Sequence, residues 1–282
     1  MGSENMKLPI IDFSHEDLKS GTLVWNQVKS QVHKALVEYG CFGATFDKIP
    51  IHLRNSIFEV SQEVFNLPLK TKVRNVSTKP FHGYVGQYPA VPLYESMGID
   101  DAKIPHEVEK FTQILWPQGN PTFCKTIQSY SEQLSELDQI VRRRILESLG
   151  LEKYTDEHMN STNYIVRLMN YKAPQSSETK LGLSAHTDKN IVTIMCQNQA
   201  WTNGRLHSPY HRVMMTGNEE RYSVGLFSIP NKVGYMIQAP QDLVDEEHPL
   251  HYKPFDHLEF LASCYSEEGI RCEYPLKNYC GV

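Results

Sequence analysis

The sequence predicts an α+β protein in which helices come first, a strand-rich region follows and a helix returns near the end. Three observations carry that prediction. Phe123, Ile127, Tyr130, Leu134, Leu137, Ile140, Val141, Ile145 and Leu149 form a continuous apolar stripe at helical spacing. After residue 160 the pattern changes to short β-rich runs separated by turns. Leu258, Leu261 and Tyr265 then fall on one side of a short helix over 255–265.

Taken in order, residues 8–13 (Leu-Pro-Ile-Ile-Asp-Phe) read as a short strand opened by Pro9. Trp25, Val28, Val32, Ala35, Leu36 and Tyr39 recur at three- and four-residue steps, a helix that Gly40 ends. Residues 41–46 read as a short buried strand. A second helix carries Leu53, Ile57, Val60, Val64 and Leu67, and Pro68 stops it. Residues 77–121 are rich in Gly, Pro and Tyr with little periodicity, and read as mostly loop packed over a site. The long helix of 121–149 has Gly150 as its C′ residue. Arg142, Arg143 and Arg144 near its end complement the helix dipole and read as a solvated helix end. Strands are expected at 163–171, 181–185, 190–196, 210–215 and 221–229. In the last of these, alternation places Arg221, Ser223, Gly225 and Phe227 on one face.

Composition narrows the function classes. The 282 residues carry 28 Lys+Arg against 33 Asp+Glu, a formal net charge of −5, and 40 % are hydrophobic. A chain of this length buries a real core, and its mild acidity excludes nucleic acid as the expected partner, which would need a basic face. No apolar run approaches the ~20 residues that cross a bilayer, and residues 1–14 hold no long apolar core of a signal peptide. A cytoplasmic protein without a membrane partner is therefore expected. Six scattered cysteines without a CxxC pair read as free thiols. No internal repeat is present, and the sequence says nothing of oligomeric state.

The chemistry concentrates in three short segments. His186-Thr187-Asp188 closes one candidate strand, His211 lies inside another, and Arg221-Tyr222-Ser223 follows ten residues on. Two imidazoles and one carboxylate on a β scaffold suit a non-haem Fe(II) facial triad, which leaves coordination positions open for substrate and oxygen. With Thr187 between them, His186 and Asp188 can turn toward one ion, whereas adjacent strand residues point apart. A guanidinium and a hydroxyl on one strand face clamp a distal carboxylate. His15-Glu16-Asp17 repeats the His-x-Asp pattern but has no matching His and Arg-x-Ser downstream, and reads as chance. His207 shares the strand parity of His211 and stands as the rival ligand.

These segments, with residues 8–13 and their following helix and with Asn203-Gly204-Arg205, resemble the plant 2-oxoglutarate/Fe(II)-dependent dioxygenases of the iron/ascorbate-dependent oxidoreductase family. The resemblance covers nearly the whole chain. Phe81-His-Gly-Tyr-Val-Gly-Gln-Tyr and Glu95-Ser-Met-Gly-Ile-Asp-Asp are most similar to the AOP branch, linked to glucosinolate side-chain modification in crucifers. The resemblance implies a double-stranded β-helix (jelly roll) core with flanking helices. It implies Fe(II) on His186, Asp188 and His211, and 2-oxoglutarate chelating the metal with its C5 carboxylate on Arg221 and Ser223. Dioxygen would be co-substrate, ascorbate the reductant, and succinate and CO2 would leave as a C–H bond of a small plant secondary metabolite is oxidised. The domains implied are an N-terminal region (1–120), a long support helix and linker (121–159), the dioxygenase core (160–230) and a closing segment (231–282).

The chain departs from that family at two places. Where the family has Asn-Tyr-Tyr-Pro this chain has Asn170-Tyr171-Lys172-Ala173-Pro174, so Asn170 is carried over as a cofactor contact and Lys172 takes the place of the second tyrosine. Only 22 residues separate Asp188 from His211. Three family strands are missing there: they would need roughly 25–30 residues with their turns. At ~3.3 Å per residue the link still reaches over about 70 Å, so it does not keep the ligands apart. The expected outcome is a barrel lacking about three strands, with its ligand-bearing pairs kept and one flank open. Two readings follow: a dioxygenase acting on a glucosinolate side chain, auxin or gibberellin, or a catalytically impaired splice form or deletion product of one.

Overall fold

The computed structural model describes residues 7–282 except 16–17, 19, 175–178, 195, 198–201, 203–204, 207, 231–233, 267, 270–271 and 273. β1 (Ile10–Asp12) pairs in parallel with β2 (Gly43–Thr45), and α1 (Leu23–Glu38) runs between them. The Thr22 hydroxyl caps α1 by accepting the Trp25 N–H, and Gly40 turns the chain at φ 72°. β2 is a strand, but Ala44 and Thr45 are exposed where a buried strand was expected. α2 (Ile51–Asn66) ends as Leu67, ahead of Pro68, goes extended, and the short α3 (Leu69–Lys72) follows.

The stretch read as loop holds β3 (Tyr84–Val85), β4 (Tyr94–Asp100) and α4 (Pro105–Leu115). β4 shows no alternation because its first six residues are all buried, so both of its faces are covered. α4 opens on Pro105 and buries Val108, Phe111, Thr112 and Leu115. α5 (Pro121–Ser148) is the long helix, capped by the Asn120 side chain, which accepts the Phe123 N–H at 3.0 Å. The short α6 (Thr155–Asn160) leads into β5 (Thr162–Tyr171), β6 (Lys180–His186), β7 (Val192–Thr193), β8 (Cys196–Gln197), β9 (His211–Met215) and β10 (Arg221–Pro230). β11 (Met236–Ile237), β12 (Phe255–Asp256), α7 (His257–Cys264) and α8 (Pro275–Cys280) complete the chain.

The large sheet has the order β3-β4-β5-β10-β7-β8, and β6 with β9 forms a separate antiparallel pair. Tyr164, Val166, Leu168 and Leu226 on one face of the large sheet join the core built on α1, α2, α4 and α5. The opposite face carries Tyr94, Met169 and Tyr171, which pack with Met215, Val213 and Leu183 of the β6–β9 pair. Two sheets thus face each other, as a jelly roll requires. A Cβ at Gly182 would meet Met215 at 3.0 Å and Tyr171 at 3.1 Å, so this glycine lets the sheets close. Among the described residues no third strand joins β6 and β9. Tyr210, Leu181 and Met214 are exposed beside them, in line with an open flank.

Two readings of side chains are corrected by the packing. Arg142 and Arg144 are buried, and only Arg143 of the three is solvated. Arg142 donates to Asp138 (2.8 Å), Tyr164 (2.8 Å) and Thr162 (3.0 Å), while Asp138 also accepts from Ser228 at 3.1 Å. Arg144 lies over the Trp25 ring at 4.0 Å. In α7 the buried face is His257, Phe260, Leu261 and Cys264, not Leu258 and Tyr265. The reason is that Ile237 of β11, Phe255 of β12 and Cys280 of α8 pack against that side.

Candidate metal centre

The β6–β9 register sets His186 directly opposite His211, with ring centroids 4.3 Å apart. Asp188, just past the end of β6, brings Oδ1 to 3.5 Å from His186 Nε2 and 3.9 Å from His211 Nε2. One ligand atom from each of the three lies within 4.8 Å of the others. His186 Nδ1 is 2.8 Å from the Ser184 carbonyl and His211 Nδ1 is 3.1 Å from the Pro209 carbonyl. Each Nδ1 therefore has a backbone carbonyl beside it, which turns both Nε2 atoms toward Asp188. Two imidazoles and a carboxylate converging in this way fit a divalent iron.

Neighbouring groups fix the carboxylate. Asp188 Oδ2 accepts the Thr193 hydroxyl at 2.7 Å, and Thr193 is itself held by Asn190. Burial works to raise the Asp188 carboxyl, but hydrogen bonds from His186 and Thr193 and the nearby His211 hold it below the usual carboxylate range. On the other side His257 of α7 donates Nε2–H to the Lys189 carbonyl at 2.7 Å, which pins the turn after Asp188. Burial lowers the pKa of that imidazole below its ordinary value.

On β10, Arg221 pairs with Tyr171 and Ser223 with Met169, so Arg221 and Ser223 share the face that looks toward the β6–β9 pair. The Arg221 guanidinium lies 5.7 Å from the Tyr171 ring. Asn170 instead pairs with Tyr222 and Glu95 and occupies the opposite face, so it is not brought together with Arg221 and Ser223. Counting from Asn170 puts Lys172 in the tyrosine's place, whereas the ladder sets Tyr171 beside Arg221. The alternation Arg167, Met169, Tyr171 carries that parity, but β5 is buried on both sides and hides it. His207, Glu16, Asp17, Asn203 and Gly204 lie outside the described residues. His15 is an exposed partner of Asp12 at 3.6 Å, and Arg205 donates to the Leu243 carbonyl at 3.3 Å.

Comparison with known proteins now bears on this geometry. A family model described as the N-terminal region of the non-haem dioxygenase in morphine synthesis matches residues 8–91. The Arabidopsis thaliana protein called probable 2-oxoglutarate-dependent dioxygenase AOP1.2 is 49 % identical, across 95 % of this chain and 94 % of its own length. The chain belongs to the 2-oxoglutarate-dependent dioxygenases. A further Arabidopsis thaliana member, 2-oxoglutarate-dependent dioxygenase AOP3, is 33 % identical over 100 % of this chain and 99 % of its own. Among solved dioxygenases, the rice enzyme described as a dioxygenase for auxin oxidation superposes with a TM-score of 0.77 at 25 % identity, over 98 % of this chain and 100 % of that one. A complex of JOX2 with 2OG, Fe and JA gives 0.79 at 22 % identity, over 97 % and 89 % of the two chains, a likeness of fold. The alignment with AOP1.2 runs over 305 positions, more than the 282 residues here, so this dioxygenase lacks residues that its relative has.

Proposed function

We propose that this chain binds Fe(II) through His186, Asp188 and His211 and oxidises a C–H bond of a small plant metabolite, turning 2-oxoglutarate into succinate and CO2. The convergence of those three side chains within 4.8 Å carries the reading. Fe(II), when bound, would couple decarboxylation of 2-oxoglutarate to oxidation of the substrate by dioxygen, with ascorbate keeping the metal reduced. The protein's own part is to hold and orient. Asp188, kept ionised, supplies the anionic ligand; the backbone carbonyls of Ser184 and Pro209 hold the two imidazoles in the ligating tautomer. Arg221 and Ser223 would take the distal carboxylate of 2-oxoglutarate, with Tyr171 walling that end.

A glucosinolate side chain is the substrate that the resemblance to the AOP branch implies, and auxin, by likeness to the rice enzyme, is the competitor, with gibberellin a further one. The proposed setting is the cytoplasm, and among the described residues no helix is long and apolar enough to cross a membrane. One observation favours a second reading, an impaired form: the sheet that carries both histidines has two strands among the described residues. Succinate release in air with Fe(II), 2-oxoglutarate and ascorbate, across a metabolite panel, decides. The dioxygenase reading expects succinate from the folded chain, none from His211→Ala, and a roughly 10- to 100-fold higher KM for 2-oxoglutarate in Arg221→Ala. Absence of succinate with every metabolite supports the impaired form.

A further inference from the structure

Arg167 stands on the same face of the large sheet as Arg221 and Tyr171, with no acidic partner among the described residues. It lies on β5 between Gly98 of β4 and Gly225 of β10. A Cβ at Gly98 would strike the Phe81 and His82 carbonyls at 2.7 Å, and one at Gly225 would strike the Phe227 ring at 2.8 Å. The two glycines thus let Phe81 and Phe227 close on the guanidinium, whose carbon lies 4.8 Å from one ring and 6.0 Å from the other. Phe81 holds a left-handed φ of 66° and packs its ring on Tyr265 at 4.4 Å.

The hydrogen bonds of this arginine are one-sided. Nη2 donates to the Tyr94 hydroxyl at 3.0 Å and to the Ser96 hydroxyl, while Nε is shielded from water with no acceptor. An unmade bond at a buried donor is costly, and a ligand acceptor would recover that cost. Arg144 also leaves nitrogens unmatched, but it is fully buried against Trp25 and Phe13, whereas Arg167 is half-buried. Arg167 is also close to the metal centre: Phe227, on which it stacks, pairs across the ladder with Thr193, whose hydroxyl holds Asp188. Tyr171, against Arg221, is four residues further along β5, about 13 Å at strand rise.

We propose that Arg167 anchors the substrate: it receives the anionic end of a small organic acid, a carboxylate or a sulfate, whose apolar body lies against Phe81, Phe227 and Tyr265. This rests on the function proposed above, which gives Arg221 to 2-oxoglutarate and leaves a second cation on the same face. A planar guanidinium walled by aromatic rings suits an acid with a flat or apolar body.

The test titrates phenylacetate, phenyl sulfate and neutral phenylacetamide, by calorimetry without oxygen, into the chain loaded with Fe(II) and 2-oxoglutarate. At least one of the two anions binds about tenfold or more tightly than the amide. Arg167→Gln brings that anion to the affinity of the amide, Arg167→Lys restores part of the difference, and the affinity for 2-oxoglutarate stays unchanged in both. Where Arg167→Gln does not fold, Arg167→Lys must still weaken the anion and not the amide. Equal or absent binding of anions and amide, an anion preference that survives both variants, or a parallel fall in 2-oxoglutarate affinity overturns the proposal. If the loaded complex forms and shows no anion preference, Arg167 alone loses its role; if the complex does not form, the proposed function falls with it.

Discussion

Thr193 shows how much of the proposed metal centre depends on side chains that would touch no metal. Its hydroxyl is the fixed donor to Asp188 Oδ2, at 2.7 Å, and a valine keeps its shape without the bond. Thr193→Val is expected to lower Fe(II) affinity roughly 10- to 100-fold while the fold persists, measured by metal titration beside a thermal melt. His158 makes a second residue-scale case. Burial, aided by Arg142, pushes its pKa down to about 3 from an ordinary 6.5. The unfolded chain takes up that proton near pH 6.5 and the folded chain only near 3, so the stability is complete above the upper value and drains as pH falls through the window. By pH 5 the chain loses about 2 kcal/mol through this group, a slope that His158→Gln flattens in denaturant melts at a series of pH values. His186, Asp188 and His211, which the structure brings within 4.8 Å, and Arg221 and Ser223, which it sets on one strand face, stood out in the sequence because each type is chemically rare in its pattern. The place of Tyr171 beside Arg221 did not, since it depends on which residue of β10 it meets, and short-range spacing says nothing of that.

At the level of elements, α5, β5 and β10 are held together by one buried network. Asp138 accepts from Arg142, Tyr164 and Ser228, and Ser228 also accepts the Val192 N–H at 3.0 Å, so the network reaches the strand that carries Thr193. Asp138→Leu leaves the Arg142 charge buried without its partner and is expected to cost about 3–5 kcal/mol in urea unfolding. α1, α2 and α5 were readable because one face of each is apolar at helical spacing, and β5, β6, β9 and β10 because turns bound them, whereas the single strand expected at 190–196 is two short strands, β7 and β8, paired antiparallel. β4 escaped because burial on both faces erases the period of two, and α4 because its short stripe sits inside a run of Gly, Pro and Tyr. Arg142 and Arg144 were misread for a related reason. Position near a helix end suggests solvent, but the β5–β10 ladder and α1 cover that end of α5.

The whole molecule is a jelly roll reduced on one side. What it keeps is the set of pairings that carry the proposed ligands: β6 against β9 for His186 and His211, and β10 between β5 and β7 for Arg221 and Ser223. Twenty-two linking residues suffice because the retained strands are neighbours in space, so the shortened span removes strands beyond the site and not the site itself. The central claim is therefore that this shortened barrel still assembles one iron site with its co-substrate. Anaerobic titration of Fe(II) into the folded chain at saturating 2-oxoglutarate measures that directly, through the visible charge-transfer absorption of the chelated complex. The account predicts a band that saturates at one equivalent of Fe(II), is lost in His211→Ala and shifts to higher 2-oxoglutarate concentrations in Arg221→Ala. A folded chain that gives no band, or one whose band survives His211→Ala, contradicts it.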